Sequence, residues 1–148
     1  MKKHIALVAF FLISISTTIA QEWQTDLTVA KEIATKESKP IILVFQGSDW
    51  CAPCIKLDHQ IWSTTAFKQY SKDNYVMLQA DFPKRKKNAL SDAQTAANAK
   101  LAETYNKNGI FPFVVVLNSK GKVLGETRLS KNYTRRLYQG IELFYQLK

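Results

Sequence analysis

Gly47-Ser48-Asp49-Trp50-Cys51-Ala52-Pro53-Cys54 follows an apolar run, Ile41 to Phe45, and precedes a long, mostly helical stretch. The run reads as a strand buried on both faces, because no polar residue interrupts it. A helix is expected to begin at Cys51. Its first turn has backbone N–H groups without intrahelical partners and carries the positive end of the macrodipole. A thiolate there is stabilised, and reactive cysteines have pKa values lowered from about 8.5 toward roughly 3.5–7.5. Cys54 lies nearly one turn further on, close enough to close a disulfide with Cys51. Pro53 suits the same turn, where the N–H it lacks would be free anyway.

Cys51 and Cys54 are the only two cysteines in 148 residues. A disulfide scaffold would use more of them, at wider spacing. A bridge closing so small a loop restrains the unfolded chain little, so chemistry explains the pair better than stability does. Zinc usually takes four ligands, and there is no second cysteine pair. His4 and His59 are the only histidines, and His59 reads as a surface or packing residue. Haem attachment needs a histidine directly after the second cysteine, where Ile55 stands. No metal and no organic cofactor is therefore expected.

The N-terminus has the pattern of a secretory signal. Lys2 and Lys3 precede an apolar core, Ile5 to Ile13, and Thr18-Ile19-Ala20 ends in a small residue. The core is shorter than the ~20 residues of a spanning helix. No cysteine follows for lipid attachment, and no twin arginine is present. Residues 1–20 are read as a signal peptide cleaved after Ala20, and residues 21–148 as one domain with its own core. The mature protein is expected to be exported, periplasmic or secreted. The net charge is +9, or +7 without Lys2 and Lys3. The positives are mostly dispersed, which with the export signal argues against nucleic acid. The one dense cluster, Lys84-Arg85-Lys86-Lys87, reads as a solvated loop or as a patch for an acidic partner or membrane surface.

The remaining elements follow from periodicity and punctuation. Asp26 or Thr25 can cap a helix carrying Leu27, Ala30, Ile33 and Ala34 on one face, and Ser38-Lys39-Pro40 stops it. Ser63-Thr64-Thr65 interrupts the helix from Cys51, a second piece runs to about Tyr70, and Ser71 to Asn74 reads as a turn. A strand covers Tyr75 to Phe82, and a basic loop covers Pro83 to Gln94. Ser91 or Asp92 caps a helix through Ala97, Leu101 and Tyr105, with Asn108-Gly109 as its stop. Strands at Phe113 to Leu117 and Lys122 to Arg128 form a late hairpin, and Asn132 to Lys148 reads as a final helix. Parallel pairs joined by helices, with an antiparallel edge at the hairpin, make an α/β sheet.

With these elements in place, the chain resembles the thioredoxin family over nearly all of residues 26–148. Three features carry the likeness: Trp50-Cys51-Ala52-Pro53-Cys54 after a buried strand, Ile110-Phe111-Pro112-Phe113 opening a later strand, and the Asn118-Ser119-Lys120-Gly121-Lys122 turn. Export, and the basic insertion after Asp81-Phe82-Pro83, resemble secreted bacterial members more than cytoplasmic ones. The resemblance implies a thioredoxin-like fold, a central mixed sheet flanked by helices. It also implies roles. Cys51 would attack a substrate disulfide and Cys54 would resolve the mixed intermediate. Trp50 would cover the pair and offer an apolar docking surface. Pro53 would hold the helix start and influence the redox potential. Pro112 would be a cis-proline facing the cysteines, and the Phe111 backbone would pair with an extended substrate. One departure stands out. Cytoplasmic thioredoxins usually carry a buried Asp six positions before the first cysteine, and here that position is Phe45. Asp49 would oppose a thiolate at Cys51, and Lys56 would favour it.

The function expected is an exported thiol–disulfide oxidoreductase, reducing rather than oxidising because proline precedes the second cysteine as in reducing relatives. Its partners would be exported proteins with disulfides or dithiols and a membrane-embedded redox partner, with no nucleic acid, and it would work as a monomer. The alternative is a binding or chaperone-like module that keeps the fold without redox turnover. A copper-handling thiol protein is a more distant rival.

Overall fold

The structure is a computed structural model and describes residues 22–128. The expected signal sequence and the expected helix from Asn132 to Lys148 lie outside the described residues. Five strands form one sheet in the order β1-β3-β2-β4-β5: β1 Trp23–Gln24, β2 Ile41–Gln46, β3 Val76–Asp81, β4 Phe113–Leu117 and β5 Val123–Arg128. Among the described residues four α-helices flank it: α1 Leu27–Glu37, α2 Ala52–Leu57, α3 Thr65–Asn74 and α4 Asp92–Tyr105.

Strand β2 explains the layering. All five residues from Ile41 to Phe45 are completely buried, and their side chains alternate between two cores. Ile41, Leu43 and Phe45 join Ala30, Ala34 and Leu101 on the face covered by α1 and α4. Ile42 and Val44 join Leu57, Ile61, Trp62 and Phe67 on the other face. A strand covered on both sides has no polar face, which is why its sequence is uniformly apolar.

Local chemistry sets the element ends. The Asp26 carboxylate accepts from the Thr28 and Val29 N–H groups at the start of α1. Ser38 ends that helix in the left-handed region, φ 55°, and its N–H reaches back to the Ala34 and Thr35 carbonyls. Thr64 caps α3 and Ser91 caps α4. Between α2 and the Ser63-Thr64 break, Asp58–Trp62 forms a π-helical turn. The Ser63 N–H reaches the Asp58 carbonyl at 2.8 Å, and the wider turn lets the adjacent residues Ile61 and Trp62 both face the core.

The structure ends α4 at Tyr105 with Asn106 as its cap, ahead of the expected Asn108-Gly109 stop, and departs from the sequence expectation in four further places. Trp23–Gln24 pairs parallel with β3 as a two-residue edge strand, where only a lead-in was expected. Ser71 to Asn74 continues α3 instead of turning, and Ser71 is fully buried. Lys86–Asn88 forms a single 3-10 turn within the basic loop. Antiparallel pairing is not confined to the late hairpin, because β4 also runs antiparallel to β2. The segment after α4 delivers the chain to the C-terminal end of β2, so that Phe113 pairs with Phe45. Pro112 therefore sits beside the exit of β2, where the cysteine segment departs.

Asn106 holds that delivery segment. Its side chain is buried, donates to the Ile110 carbonyl at 2.9 Å and accepts from the Ile110 N–H at 3.0 Å. Asn106→Ala removes both bonds and strands the Ile110 backbone, so a loss of about 1–3 kcal/mol is expected. Urea unfolding reads it as a lower midpoint at unchanged slope. An unchanged midpoint would show that water replaces the side chain without cost.

Candidate active site

The site is built where β2 ends. A turn from Gly47 to Cys51 leaves the strand, with the Cys51 N–H bonded to the Gly47 carbonyl at 3.0 Å. Cys51 is the cap of α2, in extended conformation at φ −88° and ψ 93°. Its sulfur accepts from the Cys54 N–H at 3.3 Å, the bond a serine or aspartate cap would make through oxygen. Pro53 lies in the first turn of the helix. Cys51 and Cys54 form a disulfide, S–S 2.06 Å, with Cα atoms 5.2 Å apart. Both are buried: Cys51 keeps 4% of its surface exposed and Cys54 2%. That opening is narrow for a pair whose exchange requires a sulfur that a substrate can reach.

The other expected residues gather here. The Phe111–Pro112 peptide is cis, and Pro112 is buried. The Phe111 ring meets the Trp50 ring edge-on, centroids 5.6 Å apart, and the Phe82 ring at 5.4 Å. Trp50 donates its indole N–H to the Phe82 carbonyl at 2.7 Å and keeps 39% of its surface exposed. Trp50 is thus held by the Phe111 ring and the Phe82 carbonyl while part of its surface remains exposed. At position 45, Phe45 is wholly buried against Phe113, centroids 6.3 Å apart. No carboxylate occupies that place.

Sequence reasoning missed three supports. Gly47 lies under Trp50: an added Cβ would stand 2.4 Å from the indole Cε2 and Nε1 atoms. A glycine after a buried strand is the only signal, and it does not reveal the close approach. Ser48 donates through its N–H (2.8 Å) and hydroxyl (2.6 Å) to Asp81, tying the turn to the end of β3. Asp49, weighed only as a charge beside Cys51, instead clamps the basic loop. It accepts from the Lys84 N–H, the Arg85 N–H and the Asn88 amide, each at 2.9 Å. The Lys84 N–H in particular holds the Asp49 carboxyl below its ordinary pKa, with Asn88 and Arg85 adding to the effect and desolvation opposing it. A depressed value means the clamp is in place above the ordinary carboxylate range and is lost only as pH falls through the lowered value. Lys84 Nζ lies over the Trp50 ring, 3.9 Å from its centroid. The basic cluster is therefore part of the cysteine site's surroundings.

The arrangement offers two sulfurs that can share or release a bond, one of them held by a helix-start N–H, beside a partly open aromatic surface. A family model described as thioredoxin-like matches residues 22–119. A disulfide bond reductase from Chlamydia pneumoniae, DsbH, is 36% identical over 103 residues, covering 70% of this chain and 60% of that protein. The chain thus spans less than two thirds of that curated relative. A solved DsbH oxidoreductase structure aligns with TM-score 0.74 at 29% identity, covering 86% of this chain and 85% of the other. A thioredoxin from Thermus thermophilus aligns with TM-score 0.61 at 15% identity over 82% of this chain and 85% of its own, a likeness of fold alone.

Gly47→Ala tests the support beneath Trp50. The methyl group should drive the indole off Phe111 and break its bond to the Phe82 carbonyl, at about 1–3 kcal/mol of stability. In a proton–nitrogen correlation spectrum the Trp50 indole signal should move far more than those of Trp23 and Trp62. An unmoved Trp50 signal would contradict the packing described.

Proposed function

This chain belongs to the thioredoxin-like family, and on that premise we propose that it is an exported thiol–disulfide oxidoreductase that reduces disulfides in other exported proteins. The observation that carries the reading is the Cys54 N–H directed at the Cys51 sulfur, 3.3 Å away at the start of a helix. In the reduced protein the same N–H would face a thiolate and lower its pKa. Cys51 then attacks one sulfur of a substrate disulfide, and the other substrate sulfur leaves as a thiolate and takes a proton. Cys54 gives up its proton, attacks the Cys51 sulfur and releases the second substrate thiol. Two electrons and two protons pass to the substrate, and the Cys51–Cys54 disulfide remains.

Trp50, Phe111 and Pro112 form the surface on which the substrate rests, and the Phe111 backbone pairs with its extended chain. Pro53 holds the helix start and biases the pair toward reduction. The relative named as a disulfide bond reductase supports that direction. Turnover requires a donor of two electrons, and a dithiol on a membrane-embedded partner is the class proposed. Residues 1–20 act as the export signal, and residues 21–148 work as a monomer in the periplasm or outside the cell. Phe45 removes the buried carboxylate that would have taken the Cys54 proton, so the second step depends on solvent or substrate for its base.

The test is exchange with insulin under a reducing supply. Cys51→Ser should abolish it, and Cys54→Ser should accumulate mixed disulfides visible on non-reducing gels. Activity surviving the loss of both cysteines would favour a binding module. A redox titration decides direction: a potential near −270 mV fits a reductant, and one near −120 mV reverses the assignment.

A further inference from the structure

We propose that the basic loop Lys84-Arg85-Lys86-Lys87 selects substrates, favouring disulfides whose cysteines are flanked by acidic residues. The inference rests on the oxidoreductase reading and adds a substrate class to it. The loop has a fixed place. Asp49 holds the Lys84 and Arg85 N–H groups and the Asn88 amide, and Asp49 directly precedes Trp50 in the turn that presents Cys51. The turn that positions the disulfide therefore also positions the cations.

The cations are available to a partner. All four loop residues are exposed. Among the described residues the side-chain ion pair is Lys39 with Glu37, and no described carboxylate forms a salt bridge with the loop's side chains. Asp49 offsets one charge and is occupied by backbone and amide donors. Lys84 Nζ rests over the Trp50 ring, which carries positive charge to the edge of the apolar docking surface. Ile55, 38% exposed in the first turns of α2, adds a second apolar point. A peptide seated on Trp50 with its cysteine bonded to Cys51 would bring neighbouring side chains within the ~8 Å over which charges interact at physiological salt. Acidic neighbours are attracted and basic ones repelled, which alters encounter rate more than final affinity. An anionic bilayer offers the same charge. It is the weaker occupant, because lying on this loop would cover the dithiol that exchange needs open.

The experiment uses protein reduced with dithiothreitol and freed of excess reagent. Single-turnover exchange is followed with three synthetic peptide disulfides that differ only in flanking residues: aspartate, serine or lysine. At low salt the aspartate peptide should react about tenfold faster than the lysine peptide, and high salt should bring the ratio toward one. The Lys86→Glu/Lys87→Glu variant should invert the order. The ratio between peptides cancels any effect of the lysines on Cys51 ionisation. Equal rates for all three at low salt would overturn the selection while serine-peptide exchange upholds the oxidoreductase reading. No exchange with any peptide would overturn both. Binding to phosphatidylglycerol vesicles that the double variant loses, with no discrimination among peptides, would assign the loop to a membrane and overturn the proposal.

Discussion

A backbone N–H pointed at a sulfur is the contact that the rest of this molecule serves. The Cys54 N–H reaches the Cys51 sulfur only because Cys51 occupies a helix cap, outside the helix yet against its first turn. The cap can sit there only because Gly47 lets the chain leave β2 under the Trp50 ring. And β2 can end there only because it is gripped on both faces, one core under α1 and α4 and the other under α2 and α3. A strand without a polar side cannot slip in register without moving its side chains into the wrong core. The sulfur is thus located by apolar packing that never touches it.

The second organising feature is the way polar side chains tie three chain segments together around that cap. Asp81 holds the Ser48 turn, Asp49 holds the basic loop, and Asn106 holds the segment before Pro112. These residues could be read as surface charges or loop formers. In the structure each makes at least two hydrogen bonds, those of Asp81 and Asp49 to segments distant in the chain, and together they bring Cys51, Trp50, Phe111 and Pro112 to one place. Phe45 shows the converse. Where cytoplasmic thioredoxins usually place a carboxylate, this chain packs an aromatic ring against Phe113, which leaves no buried charge at that position.

Much of this was legible in the sequence wherever a local rule is strong. The uninterrupted apolar run at β2, the Asp26 cap, the Ser38 stop and the Asn118-to-Lys122 turn each carry a short-range signal, and the structure has each where expected. Trp50, Cys51, Cys54, Phe111 and Pro112 can be named from the cysteine motif and the family resemblance, and the structure brings them together while their roles remain proposals. What escaped the reading depends on partners distant in the chain. A two-residue β1 has no pattern of its own and exists through Met77 and Leu78. The antiparallel β2–β4 pair is settled by where α4 and Asn106 return the chain. Ser71 carries a turn-forming side chain, yet burial within α3 outweighs that preference. The Asp49 clamp spans about 35 residues, and no spacing rule reaches that far.

The narrow opening over the disulfide sharpens the central question, since a sulfur must be both ionised and reachable to exchange. Alkylation of the fully reduced protein with iodoacetamide, followed across pH, measures both properties at once. One fast thiol is expected, assigned to Cys51 by mass spectrometry, whose reactivity rises with a midpoint below the ~8.5 of a free cysteine, beside a slow Cys54. Two slow thiols with midpoints at or above that value would contradict that expectation.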